Sequence, residues 1–125
     1  MAVVEKPDEW SVQHTPAAAA AATISVAAQT RGVHHITSIT ISLGGTAATT
    51  AGLSFNLRDS TTGAGNILWS VKLANLANTT NTFSVGGINI VGVKGQAVTL
   101  ESASAPGANV SATVAMTGYT EVLPV

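Results

Sequence analysis

Val33–Leu43 reads VHHITSITISL, and its second half decides the fold. Ile39, Ile41 and Leu43 share one parity, while Ser38, Thr40 and Ser42 share the other. A strand turns successive side chains to opposite faces, so this stretch buries one face and wets the other. The period returns in LSFNLR (53–58), where Leu53, Phe55 and Leu57 oppose Ser54, Asn56 and Arg58. ILWSVKL (67–73) sets Ile67, Trp69, Val71 and Leu73 against Ser70 and Lys72, with Leu68 out of pattern. Val98 and Leu100 alternate with Thr99 and Glu101, and Val110, Ala112, Val114 and Met116 with Ser111, Thr113 and Thr117. No stretch after residue 30 holds a 3.6-residue apolar stripe long enough for a core helix.

Turn chemistry separates these runs: DSTTGAGN (59–66), ANLANTTN (74–81), the glycine pair 86–87, VKGQ (93–96) and SAPGAN (104–109). Short strands at this spacing predict an all-β sandwich or barrel. Carried back from Ile39, the parity turns His35 inward as a partly buried, hydrogen-bonded residue and His34 outward. Adjacent strand residues face opposite ways, so the two histidines do not form a metal pair.

Upstream, residues 1–15 show mixed charge, Pro7 and no periodicity, which predicts an N-terminal arm ahead of a single domain at 16–125. Between them runs Ala17–Ala22, with Thr15 as a possible helix cap and Pro16 in a first turn. A helix of about two turns is marginal alone and has no large side chains here to hold it. Thr23–Val26 already alternates, so the run is expected to lead into the first strand, with Ala17–Ala20 extended or briefly helical.

Composition limits the function classes. The chain has 125 residues, enough for one domain with its own core, and no cysteine for disulfides or thiolate metal sites. Lack of disulfides fits folding in a reducing cytoplasm. Five Lys and Arg face six Asp and Glu, so the basic stripe that phosphate contacts require is missing and nucleic acid is not an expected partner. Glu5, Lys6, Asp8 and Glu9 deny the first ten residues the basic start of a secretory signal. Thr23 and Ser25 break the apolar stretch 16–28, which is also short of the ~20 residues of a membrane span. Charged residues are only 9% of the chain, against roughly 25% in an ordinary domain, and small polar residues take their place. Such a surface is cheap to desolvate against a neighbour; the plainer alternative is a soluble domain that uses Thr and Ser outside.

Motifs for chemistry are lacking. TTGAGN contains G-x-G but no Lys-Ser/Thr ending, and it precedes a strand, so it reads as a turn. Asp59 is that loop's lone carboxylate, too few oxygens for calcium. Arg58 and Asp59 are read as a local ion pair, with an intersubunit contact as the alternative. No serine sits in a nucleophile motif, and the acidic residues are scattered. Neither an enzyme nor a cofactor or metal site is expected. His14 has no ligand-like neighbour. Trp10 either folds back on the domain or anchors the arm in a neighbouring subunit.

AATISVAA (21–28), GVHHITSITISL (32–43), LSFNLRDSTTGAGNILWSVKL (53–73), GGINIVGVKGQAVTLESA (86–103) and VSATVAMTGY (110–119) together resemble small virion proteins of tailed bacteriophages and prophages. The resemblance runs over roughly residues 20–120 and leaves the arm outside. It is carried most by the LRD…TGxGxxLW and GxxIVGxxGxAVTLE patterns. It implies an antiparallel, jelly-roll-like β-sandwich with an N-terminal extended arm. The implied function is capsid decoration, or cement: binding the outside of the shell at junctions of the major capsid protein. The implied state is a homo-oligomer, trimer before dimer, made in the host cytoplasm, with no membrane partner. Candidate capsid or intersubunit contacts are Trp10, His14, Arg31, Arg58 and Asp59. The alternative is a phage fibre or receptor- and glycan-binding module, which needs an exposed aromatic or polar pocket.

Overall fold

The computed structural model describes residues 8–49 and 51–124. Eight strands follow in order: β1 (Asp8–His14), β2 (Thr23–Val26), β3 (Gly32–Gly45), β4 (Leu53–Arg58), β5 (Ile67–Leu73), β6 (Thr79–Val91), β7 (Val98–Ser102) and β8 (Val110–Val122). They form two antiparallel sheets, one ordered β1-β8-β3-β6 and the other β2-β7-β4-β5. Except for the β4–β5 hairpin, every connection crosses from one sheet to the other. Two four-stranded sheets interleaved this way are a jelly roll.

The alternating residues meet between the sheets. Ile36, Ile39, Ile41 and Leu43 of β3 and Val110, Ala112, Val114 and Met116 of β8 face Phe55 and Leu57 of β4 and Val98 and Leu100 of β7, all essentially inaccessible. Each large side chain buried this way contributes about 1.5–3 kcal/mol. β7 is buried on its other face as well, because the β4–β5 loop folds over it: the Thr99 hydroxyl donates to the Ser60 carbonyl at 2.7 Å.

Four expectations change. The alternation of β3 does not run through: Ile36 lies opposite Gly118 and Ser38 opposite Thr117, so β3 holds one extra residue. A bulge of this kind reverses which residues face inward. His34 is therefore the inner histidine, 1% exposed, and His35 lies on the outer face. Second, residues 8–14 of the expected arm are a strand, with Trp10 opposite Gly118 and Val12 opposite Met116; residues 1–7 lie outside the described residues. Trp10 and Val12 pack against the core, which is what draws the segment in. Third, the alanine run is the corner between sheets and leads to the second strand. The Ala20 amide donates to the Ala17 carbonyl at 3.2 Å, and Ala19 has φ 67°. Finally, Gly86–Gly87 is no turn but sits within β6, which the glycines carry past the irregular stretch of β3.

Gly118 is where the ends of the molecule close. A Cβ there would run into the His35 carbonyl oxygen and come within 2.7 Å of the Trp10 ring, so only a bare backbone lets the indole lie across β8. Gly118→Ala is expected to lower stability by about 1–3 kcal/mol, the usual cost of overpacking. Gly86→Ala, whose added methyl meets nothing within 4 Å, should change it by less than about 0.5 kcal/mol. Urea unfolding of the two variants measures the contrast.

Candidate interaction surface

Three polar constellations follow from the strand register. On the inner face, His34 Nε2 lies 2.8 Å from the Ala27 carbonyl, which only an N–H can satisfy. In the neutral ring that leaves Nδ1 to accept from the Thr120 hydroxyl at 2.7 Å. The Thr120 oxygen in turn accepts the Trp10 indole N–H at 3.1 Å, and the indole stands edge-on to the imidazole. Every donor in this chain has an acceptor, so it ties β1, β3 and β8 together and offers nothing to a ligand.

Outside, the His35 ring stacks on Tyr119 with centroids 4.5 Å apart. Its Nδ1 lies 3.0 Å from Asn89 Oδ1 and its Nε2 3.1 Å from Glu121 Oε2, linking β3 to β6 and β8. A doubly protonated ring donates to both partners; a neutral ring donates from Nε2 to Glu121 and accepts at Nδ1 from the Asn89 amide once that side chain is turned. A shallow groove lies beside this cluster at the bulge, lined by Glu9, Ser11, Thr37, Thr117 and Tyr119.

The third constellation is the rest of that outer face. Across the sheet run the rows Gln13–Ala115–Thr40–Ser84 and Thr113–Ser42–Thr82, with Ser11–Thr117–Ser38 beside them. None of these side chains is charged. Most of their hydroxyls are paired: Thr40 with Ser84 at 3.1 Å, Ser42 with Thr82 at 3.0 Å, Ser38 with Thr117, and Thr113 with Thr15, just past β1, at 3.3 Å. A hydroxyl already paired within the sheet surrenders fewer bonds to water when another surface covers it.

The residues singled out from the sequence are dispersed. Trp10 packs inward in its own domain. His14 Nδ1 accepts the Thr23 amide at 3.2 Å, which fixes the start of β2. Arg31 occupies a turn with φ 58°, and its carbonyl accepts the Leu123 amide. Arg58 and Asp59 do not pair with each other. Arg58 Nε donates to Glu101 Oε1 at 2.7 Å, and the same carboxylate accepts the Gly63 amide. Asp59 turns into its own loop, accepting the Asn66 amide at 2.7 Å. Register explains the split: Asn56 lies opposite Glu101, so Arg58 reaches it across the sheet face, while Asp59 is past the strand end. Sequence reasoning already set Ser38, Thr40, Ser42, Thr113 and Thr117 outward, but their pairing into rows across the sheet follows only from the strand register.

Among the described residues no three His, Asp or Glu side chains gather where a metal ion could sit. No helix among them is long and apolar enough to cross a membrane. No family model matches the chain, and no curated protein does. Among solved structures, the Tobacco streak virus coat protein aligns over 99% of this chain and 96% of that one, with 8% identity and a TM-score of 0.36. The fold assignment rests on the strand order itself.

Thr120→Val keeps the shape of the side chain but strands both the Trp10 indole and the His34 ring. It is expected to cost about 1–3 kcal/mol per unsatisfied buried group, read by thermal or urea unfolding. Thr120→Ser, which keeps the hydroxyl, should retain most of that stability.

Proposed function

We propose that this chain is a structural virion protein that lies on the outside of a bacteriophage capsid, over junctions of the major capsid protein, and stabilises the shell. The outer face of the β1-β8-β3-β6 sheet carries this reading: its central rows are uncharged and internally paired in hydroxyls. A face of this kind gives many weak contacts over a broad area at low desolvation cost, which suits a protein repeated over a lattice. The resemblance of residues 20–120 to phage virion proteins points the same way. Unlike the arm expected from the sequence, residues 8–14 are committed to the sheet, so the reading gives the contact to the face and not to Trp10.

The glycan-binding alternative has the groove beside Tyr119 in its favour, where an aromatic ring adjoins Glu9 and several hydroxyls. One face of that ring is already stacked on His35, which limits the platform it offers to a sugar.

Counting and locating the protein on purified particles separates the readings. Hundreds of copies spread over the shell support cement, while a few copies on the tail or at one vertex overturn it. Ser42→Lys with Thr113→Lys should weaken particle binding by at least about tenfold, since unpaired charges carried into a dry contact cost more than the ~1.4 kcal/mol of that factor. Ser42 and Thr113 lie directly opposite each other, so the paired lysines should lower stability by about 1 kcal/mol or less, which leaves the sheet folded.

A further inference from the structure

Both lateral edges of the sandwich leave apolar side chains half-buried, Trp10, Val12, Ile24 and Val26 on the β1–β2 side and a larger set on the β5–β6 side. β5 and β6 are the neighbouring edge strands of the two sheets, and their inward side chains are only partly covered. Trp69 leans on Phe83 with ring centroids 5.7 Å apart, and Val71, Val85, Ile88 and Ile90 are likewise half-buried. Of the exposed large apolar residues, Ile67 at 50% and Val91 at 46% lie on these strands and Leu76 at 76% and Val93 at 46% in the loops that flank β6, while Val122 at 47% ends β8. β6 is 13 residues long and presents a free row of backbone N–H and C=O groups. Proteins protect such an edge with charges, proline or bulges; Thr79–Val91 contains no charge and no proline, and its irregular stretch at Gly86–Gly87 leaves Thr79–Val85 as the regular run open to pairing.

From this we infer that the β5–β6 edge is a self-association surface, where β6 pairs antiparallel with β6 of a second copy about a two-fold axis. Three observations select a second copy. A two-fold normal to the sheet does not exchange its faces, so apolar side chains meet apolar ones and hydroxyls meet hydroxyls. The strip is uncharged, so an identical strand brings no like charges together and an ionic partner finds no counter-charge. Lys72, the one charge on β5, lies on that sheet's outer face with Ser54 and Ser70. The area also suffices: β6 runs from opposite Gly45 to opposite His35, about 33 Å, and with a sandwich edge about 15–20 Å deep this gives roughly 500–650 Å² per copy, or about 1,000–1,300 Å² in all, the low end of specific interfaces. The hydroxyl face stays free in such a dimer, so the inference stands apart from the capsid reading.

Sedimentation of the full chain up to about 100 μM should give twice the mass of one chain at the upper end. Ile67→Lys with Leu76→Lys and Val91→Lys should sediment as a monomer while keeping the far-ultraviolet spectrum of a folded sheet. A chain that stays monomeric, a trimer, or a triple variant that dimerises as before overturns the proposal. Hydrogen exchange on the unmodified chain decides independently of whether the variant folds. Amides of residues 79–91 should gain protection as concentration rises, and unchanged exchange there refutes the pairing. Failure of the unmodified, dimeric chain to bind particles would count against the capsid reading alone.

Discussion

The extra residue of β3 is the constraint on which much of the rest depends. Without it, the inward parity of Ile39 and Ile41 would carry His35 into the core and leave His34 outside. With it, His34 and Ile36 go in, and His34 meets the hydroxyl and carbonyl that satisfy both ring nitrogens. The register also sets Gly118 beneath Trp10 and Tyr119 against His35. A bulge gives up regular ladder pairing, and here the loss is offset by side chains that join three strands on each face. Thr37, at the bulge, completes it by donating to the Thr117 carbonyl at 3.3 Å.

The two sheets divide the polar work differently. In the β2-β7-β4-β5 sheet, charge is used sparingly and internally: Glu101 gathers Arg58 and the Gly63 amide, so the β4–β5 loop is fastened over β7. In the other sheet the outer side chains hold one another by hydroxyl pairs, and its charged groups, Asp8, Glu9 and Glu121, lie toward one end. One sheet thus finishes its surface with its own loop, while the other leaves a broad neutral plane.

Much of this was legible. β3, β4, β5, β7 and β8 declare themselves because branched or aromatic side chains occupy alternate positions for two or more repeats. β6 does not, because Phe83 and Val85 lie on one parity and Ile88 and Ile90 on the other, with glycines between that read as a turn. β1 has only Trp10 and Val12 to mark it, beside three acidic residues of the arm. The bulge left one clue, Ile36, an apolar residue on the wrong parity for Ile39. The partners of Arg58 and Trp10 were beyond reach: they lie 43 and 110 residues away, and only the pairing of distant strands brings them close.

The place of β8 has a consequence for how the molecule comes into being. It is the last strand in order, yet it lies between β1 and β3, with Asp8 opposite Thr120 and Gly45 opposite Val110. Until β8 has been synthesised, β1 has no neighbour and β3 has one side empty, so this sheet cannot assemble as the chain emerges. Closure spans nearly the whole sequence, and topologies of that kind fold slowly, in milliseconds to seconds. In that interval the unpaired strands are open to joining the wrong edges, and the β4–β5 hairpin is the one local pairing that covers any of them.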